Sequence, residues 1–324
     1  MVALLLALLA LPAGPIVGGR VYRATVEAGG AQVAVWRYAA AHGPKRPPVL
    51  LLPELGFDKR IFANHGRGLA LTLQDRGHEV FVLEWRGTGS SSRPLPGMGG
   101  LDALFDGDAR AALRLAAAST PEHRVQIVGV GLGGAAAYLL AAEPDSSVSA
   151  VVAVGVPSFY EVPNEAVQKL IAVARLGPKA SGPLDLKAWS RLPAAVGAGE
   201  RDLFELLLAY GSAAPGLREA LGLAAPELAQ DVARWMELGD LPRGPKLKDA
   251  LAALRCPLLI VAGPRDNLVH LEHALAVRTL APLAPRDELL LQRVEGWPED
   301  AGHLMLQAKW AHALWSRIAD WLEK

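Results

Sequence analysis

Residues Val125–Tyr138 read VQIVGVGLGGAAAY. The run opens with a short apolar stretch of the kind that forms a strand buried on both faces. Glycines at 129, 131, 133 and 134 mark a tight turn, and the small residues after it suit a helix packed close to that strand. Gly129, Gly131 and Gly134 also satisfy G-x-G-x-x-G, the turn that receives a dinucleotide. That turn normally follows the first strand, and an acidic residue ends the next one. Here three or more strands come first, and the next strand, Val148–Val156, runs into Gly155 and Pro157. The glycines therefore argue for a strand–turn–helix unit and only weakly for a nucleotide site.

Working outward, Val21–Glu27 and Gln32–Tyr38 alternate as a hairpin with Gly29 and Gly30 at its turn. Pro48–Pro53, Glu79–Glu84, Ala150–Val154 and Pro257–Ala262 are further buried-strand runs, and Leu289–Val294 is expected as the last strand. Helix-like spacing fills His65–Arg76, Leu101–Ala118 and Leu132–Ala142. Strands alternating with helices predict a mostly parallel sheet covered on both faces. The rhythm breaks between Phe159 and Leu254. Helical stretches at Glu165–Leu176, Asp202–Tyr210 and Pro226–Leu238 occur there without a buried strand. The expected division is a signal-like segment at 1–19, a core at 20–158, a helical cap at 159–254 and the rest of the core at 255–324. A final helix, about Leu304 to Leu322, places Leu306, Trp310, Leu314, Ile318 and Trp321 on one face.

The 324 residues are 51% hydrophobic and 20% charged, which excludes a disordered chain. The 33 basic and 33 acidic side chains cancel, so the surplus expected of a nucleic-acid binder is missing. The single cysteine, Cys256, excludes an internal disulfide and a cysteine zinc cage. Val2–Leu11 is a short apolar run before Pro12, Ala13 and Gly14, the pattern of a secretory signal but without a preceding Lys or Arg. Export or membrane attachment is expected from it, with membrane contact only through residues 2–18 if they stay on the chain, and a cytoplasmic protein otherwise.

Three separated segments fit one chemistry. Gly129-Val130-Gly131-Leu132-Gly133 has the outline of a nucleophile elbow, G-x-S-x-G, with glycine at the central position. Asp266 follows the strand ending near Gly263, and His303 precedes the last helix. Nucleophile, acid, histidine is the chain order this arrangement uses. Glu84-Trp85-Arg86-Gly87-Thr88-Gly89-Ser90-Ser91 matches a D-x-R-G-x-G-x-S turn, and Leu51–Gly56 stands where an H-G-x-G oxyanion loop is expected.

From about Pro48 onward the chain resembles the α/β-hydrolase superfamily, especially its lipase-, esterase- and polyester-enzyme-like branches. The resemblance implies an α/β-hydrolase fold with a helical cap, no cofactor, and a small or lipophilic acyl compound as ligand. Two positions depart from the pattern. Gly131 has no atom with which to attack an acyl carbon. Pro53-Glu54 replaces His-Gly in the oxyanion loop. The Leu55 and Leu132 N–H groups remain to face an oxyanion, and the Glu54 carboxylate is set to oppose one or to change the local acid–base chemistry.

Three functions stay open at this point. One is a ligand-binding or inactive member, since glycine relieves the strain that a side chain meets at the elbow. The second is an enzyme whose His303–Asp266 dyad acts as a general base without a covalent intermediate, in a lyase or cofactor-free oxygenase reaction. The third is an ester hydrolase with its nucleophile moved to Ser90, Ser91 or Ser92, although serines in such turns ordinarily satisfy backbone groups. Elsewhere, His270 and His273 form H-x-x-H with too few partners for a metal site, and Glu272 beside them reads as a surface charge. Cys256 reads as a small buried hydrophobe. Phe57, Phe159, Tyr160, Trp189 and Trp235 read as core or cap packing, and His65 and Arg67 as a helix start.

Overall fold

The buried runs become neighbouring strands of one eight-stranded sheet. The computed structural model describes residues 20–40, 46–94, 97–159, 183–191, 204, 216–242, 244 and 246–324. The signal-like segment 1–19, the stretch Glu165–Leu176 and all of Asp202–Tyr210 but Phe204 lie outside the described residues. β1 (Val21–Ala28) and β2 (Ala31–Tyr38) form the expected hairpin, and β2 lies antiparallel to β4 (Val80–Glu84). From there the sheet is parallel: β4, β3 (Val49–Leu52), β5 (Val125–Val130), β6 (Val148–Val154), β9 (Leu258–Ala262) and β10 (Arg286–Leu290).

Alternation along each strand divides the core in two. Leu50, Leu52, Phe81 and Leu83 face one side, and Val49, Leu51, Val80 and Val82 the other. The first side is covered by α2 (Arg110–Ala117), α3 (Leu132–Ala141), α5 (Pro226–Leu238) and α6 (Leu247–Ala253). The second is covered by α1 (Leu69–Asp75) and α9 (Ala311–Leu322). Each fully buried Leu or Val contributes on the order of 1.5–3 kcal/mol, so the two-sided core holds the strand ends in a fixed register.

Three boundaries differ from the sequence expectation. Helix α1 begins at Leu69, not His65, because the chain first turns at Asn64–Arg67 and His65 adopts φ 47° in that exposed turn. The last strand is Arg286–Leu290, not Leu289–Val294; it is an edge strand, half exposed, so its charges are tolerated where apolar content predicts none. The last helix begins at Ala311, not Leu304, since Ala308 is extended and a single tight turn at Met305–Gln307 precedes it. In the stretch Leu101–Ala118 the helix is continuous, but Ala103–Ala109 is wound as a wider π turn.

Between β6 and β9 the described elements are helical apart from a two-residue ribbon of β7 (Leu184–Asp185) and β8 (Leu223–Ala224), with α4 (Leu186–Ser190) following β7. Pro226–Leu238 is a helix over the span its sequence predicts, with Pro226 at its first turn and Gly239 left-handed at its end. This insertion is tied to the loops at the carboxyl ends of the strands. Asp58 N–H donates to Ala220 O at 3.0 Å, Gly222 N–H to Gly56 O at 2.9 Å, and Leu223 N–H to Gly87 O at 2.7 Å.

Candidate active site

Parallel strands gather their following loops at one edge, where sites of this fold class form. Glu54 follows β3, Gly131 follows β5, Asp266 follows β9, and His303 lies in the loop between β10 and α9. Gly131 has φ 49° and ψ −116°, a backbone state that L side chains adopt only under strain. Its N–H donates to Val154 O at 3.0 Å, and its carbonyl starts α3. Gly133 permits the close approach of that helix: a Cβ there would strike Leu52 O and Pro53 O.

Asp266 and His303 come together as the chain order predicts. His303 Nδ1 lies 2.9 Å from Asp266 Oδ2, while Asp266 Oδ1 accepts the Leu268 and Val269 N–H groups at 2.9 and 2.7 Å. The other face of the imidazole is where expectation and structure part. His303 Nε2 does not open onto a vacant apex; it lies 2.7 Å from Glu54 Oε2. A Cβ built on Gly131 would overlap that same Oε2 atom. Glu54 Oε1 accepts the N–H groups of Leu55 at 2.5 Å and Leu132 at 3.4 Å. One carboxylate thus fills both the place read as the nucleophile's and the two backbone donors read as the oxyanion pair. The Glu54 side chain is 5% exposed, Asp266 1% and His303 0%, so the three are sealed from bulk water.

The electrostatics follow from this enclosure. Burial opposes the imidazolium, but the Asp266 and Glu54 carboxylates outweigh it and push His303 up to about 10. The shift favours a ring protonated on both nitrogens, each facing a carboxylate. A general base needs a lone pair, and the raised imidazole holds its proton more tightly than a free one. Glu54, expected to oppose an oxyanion or to change the local acid–base chemistry, is the central occupant of the site and helps to raise the imidazole. Two features of the sequence signal the position of Glu54: a glycine at 131 and a carboxylate at 54.

The remaining candidates are placed plainly. Ser91 Oγ donates to Glu84 O at 2.6 Å and accepts Ala34 N–H at 2.8 Å; Ser92 Oγ accepts Gln32 N–H at 3.1 Å. Both hydroxyls thus satisfy backbone. The Ser90 N–H donates to Glu84 Oε2 at 2.7 Å. His270 is exposed and His273 buried, with Phe159 edge-on to His273 at 5.2 Å, and Glu272 is exposed. His270 caps the exposed start of the helix Leu271–Leu275, and His273 on that helix turns into the protein. Among the described residues no group of three or more His, Cys, Asp or Glu side chains is arranged to hold a metal ion. Burial pushes the Cys256 thiol up to about 11, which suppresses thiolate reactivity. Phe57 and Trp235 are fully buried core residues, Trp189 is half-buried and packed against the core, and Tyr160 lies outside the described residues. Arg67 is exposed beside His65.

Comparison with known proteins agrees with this architecture. Residues 47–180 match the family described as alpha/beta hydrolase fold. A hydrolase from Pseudomonas aeruginosa PA01 is similar over 93% of this chain and 98% of its own, with 19% identity and a TM-score of 0.65. An esterase from Exiguobacterium antarcticum is similar over 93% and 99%, with 16% identity and a TM-score of 0.66. E-2-(acetamidomethylene)succinate hydrolase is similar over 94% and 100%, with 18% identity and a TM-score of 0.62. No curated protein matches by sequence. The chain has the α/β-hydrolase fold. Among the described residues no helix is long and apolar enough to cross a membrane.

Proposed function

We propose that this protein is a non-hydrolytic member of its superfamily, a pseudoenzyme that binds a small or lipophilic acyl-type ligand. The single observation behind this reading is the Glu54 carboxylate, which stands in the place of a nucleophile and already occupies the two backbone donors. An ester carbonyl entering the site meets no attacking atom, and a negatively charged oxygen meets a negative group. A glutamate whose oxygens already meet an imidazole and two N–H groups has few lone pairs free to attack a carbonyl. The same proposal includes a cap role for 159–254 over the strand ends and export or attachment through residues 2–18.

The test is ester turnover and labelling by a fluorophosphonate, on the native chain beside Gly131→Ser and Gly131→Ser/Glu54→Gly. Neither turnover nor labelling is expected for the native chain or for Gly131→Ser alone, since the new side chain collides with Glu54. The double variant is expected to label and to turn over short acyl esters. Native turnover that disappears in Glu54→Gln or His303→Ala would overturn the reading.

A further inference from the structure

The donors around Glu54 describe a ligand. We propose that the space against residue 131 is a carboxylate-binding site, occupied by Glu54 of the same chain and taken by an acyl-chain carboxylate when Glu54 is displaced. The inference rests on the preceding reading and names the chemical class of ligand for that site.

Two acceptor oxygens meet two sets of donors. On one side are the Leu55 and Leu132 N–H groups at 2.5 and 3.4 Å, the second at the start of α3. On the other is His303 Nε2 at 2.7 Å. Because residue 131 has no Cβ, the planar group lies directly against the turn. An alcohol supplies one oxygen for both sides. An amide turns its NH2 toward a donor on one side. With both ring nitrogens protonated, a carboxylate is the group that supplies acceptors to both sides, and charge-assisted bonds are the stronger ones. The neighbouring loop is roofed by leucines: a Cβ on Gly56 would meet Leu186 and Leu221 side chains. Beside these, the half-buried Leu55 favours an apolar tail behind the carboxylate.

Glu54 competes as a tethered group, at an effective concentration of mM or above. Removing it should therefore strengthen binding of a free carboxylate. The titratable groups facing His303 are Asp266 and Glu54. A ligand that replaces the second carboxylate favours the charged imidazole, so binding to the emptied site takes up a proton where that imidazole is neutral and weakens as pH rises.

The experiment titrates acetate, octanoate and acetamide into the native chain, Glu54→Ala and Glu54→Gln, with sodium chloride at matched ionic strength. The readouts are Tm and the NMR signals of the His303 ring. Saturable one-to-one acetate binding by Glu54→Ala is expected, at least tenfold tighter than by the native chain. Octanoate should bind tighter than acetate, and acetamide should have no effect. Adding His303→Ala to Glu54→Ala should weaken acetate binding at least tenfold. Acetate acting no better than chloride on folded Glu54→Ala, or acting equally without His303, would overturn the proposal; octanoate no tighter than acetate would overturn its acyl part. Should Glu54→Ala fail to fold, Glu54→Gln carries the test: acetate must displace its amide at least threefold more readily than it displaces the native carboxylate, and equal affinity overturns the proposal. Fluorophosphonate labelling of the native chain would sink the preceding reading while leaving these titrations interpretable. Absent acetate binding without labelling would sink this one alone.

Discussion

Arg86 and His303 are both buried cations facing carboxylates at the carboxyl ends of the sheet, but they owe their charge to different causes. Arg86 lies after β4 and is charged at any working pH. Its guanidinium and N–H bind both Asp108 oxygens, and it also donates to the carbonyls of Ala28, Met98 and Ala103. That network joins β1, the turn after β4 and the π-wound segment. His303 is held toward its charged form by the flanking Asp266 and Glu54 carboxylates, against the effect of burial. One cluster is a permanent tie of the scaffold. The other is a conditional one, built from a titrating ring and a carboxylate on a loop. Two buried cation–carboxylate clusters at one end of a sheet can therefore differ in kind, one fixed by the side chain's own charge and one set by its neighbours.

The sharpest way to break this contrast is to remove a partner from each cluster. Asp108→Ala strands the guanidinium and should cost about 3–5 kcal/mol in urea unfolding. Glu54→Ala should cost less, about 1–3 kcal/mol, because the imidazole can release its proton. Equal losses would show that the two clusters are alike. Next in size, Gly131→Ser should destabilise by about 1–3 kcal/mol through its backbone geometry and its clash with Glu54. Adding Glu54→Gly should recover at least about 1 kcal/mol of that, read as non-additivity in a double-mutant cycle.

The pH dependence follows from the raised imidazole. Its stabilisation is fully present below the ordinary value of 6.5 and is lost as pH rises toward about 10. Across that window one proton gives a slope of up to about 1.4 kcal/mol per pH unit. Glu54→Gln should flatten the slope, whereas an Asp108 variant should leave it unchanged. The smallest effect belongs to Ser91→Ala, which removes a bridge between β2 and the turn after β4. It should cost about 1 kcal/mol in thermal unfolding and leave the site's ligand binding untouched.

Much of this fold was legible because its strands are buried on both faces. VLLL at 49–52 and LLIVA at 258–262 leave no ambiguity about where they belong. Arg286–Leu290 was illegible for the opposite reason: an edge strand bears charge, so hydropathy pointed to the apolar residues just after it. In the site, the Asp266–His303 contact was legible from chain order and strand endings. The Glu54–His303 contact was not, because 249 residues separate the partners and no local pattern selects between a carboxylate that faces solvent and one that turns inward.

Sequence alone determined the order of the buried strands and of the helices at Leu132–Ala141 and Pro226–Leu238, the glycine at 131 and the presence of a carboxylate at 54. Those are properties of short windows, governed by periodicity and backbone preference. Tertiary structure decided where that carboxylate points and, with it, the charge on His303. Three loops from distant parts of the chain had to meet before an anion, two N–H groups and an imidazole fell within hydrogen-bond distance, and electrostatic energy depends on those distances and on the exclusion of water from between them.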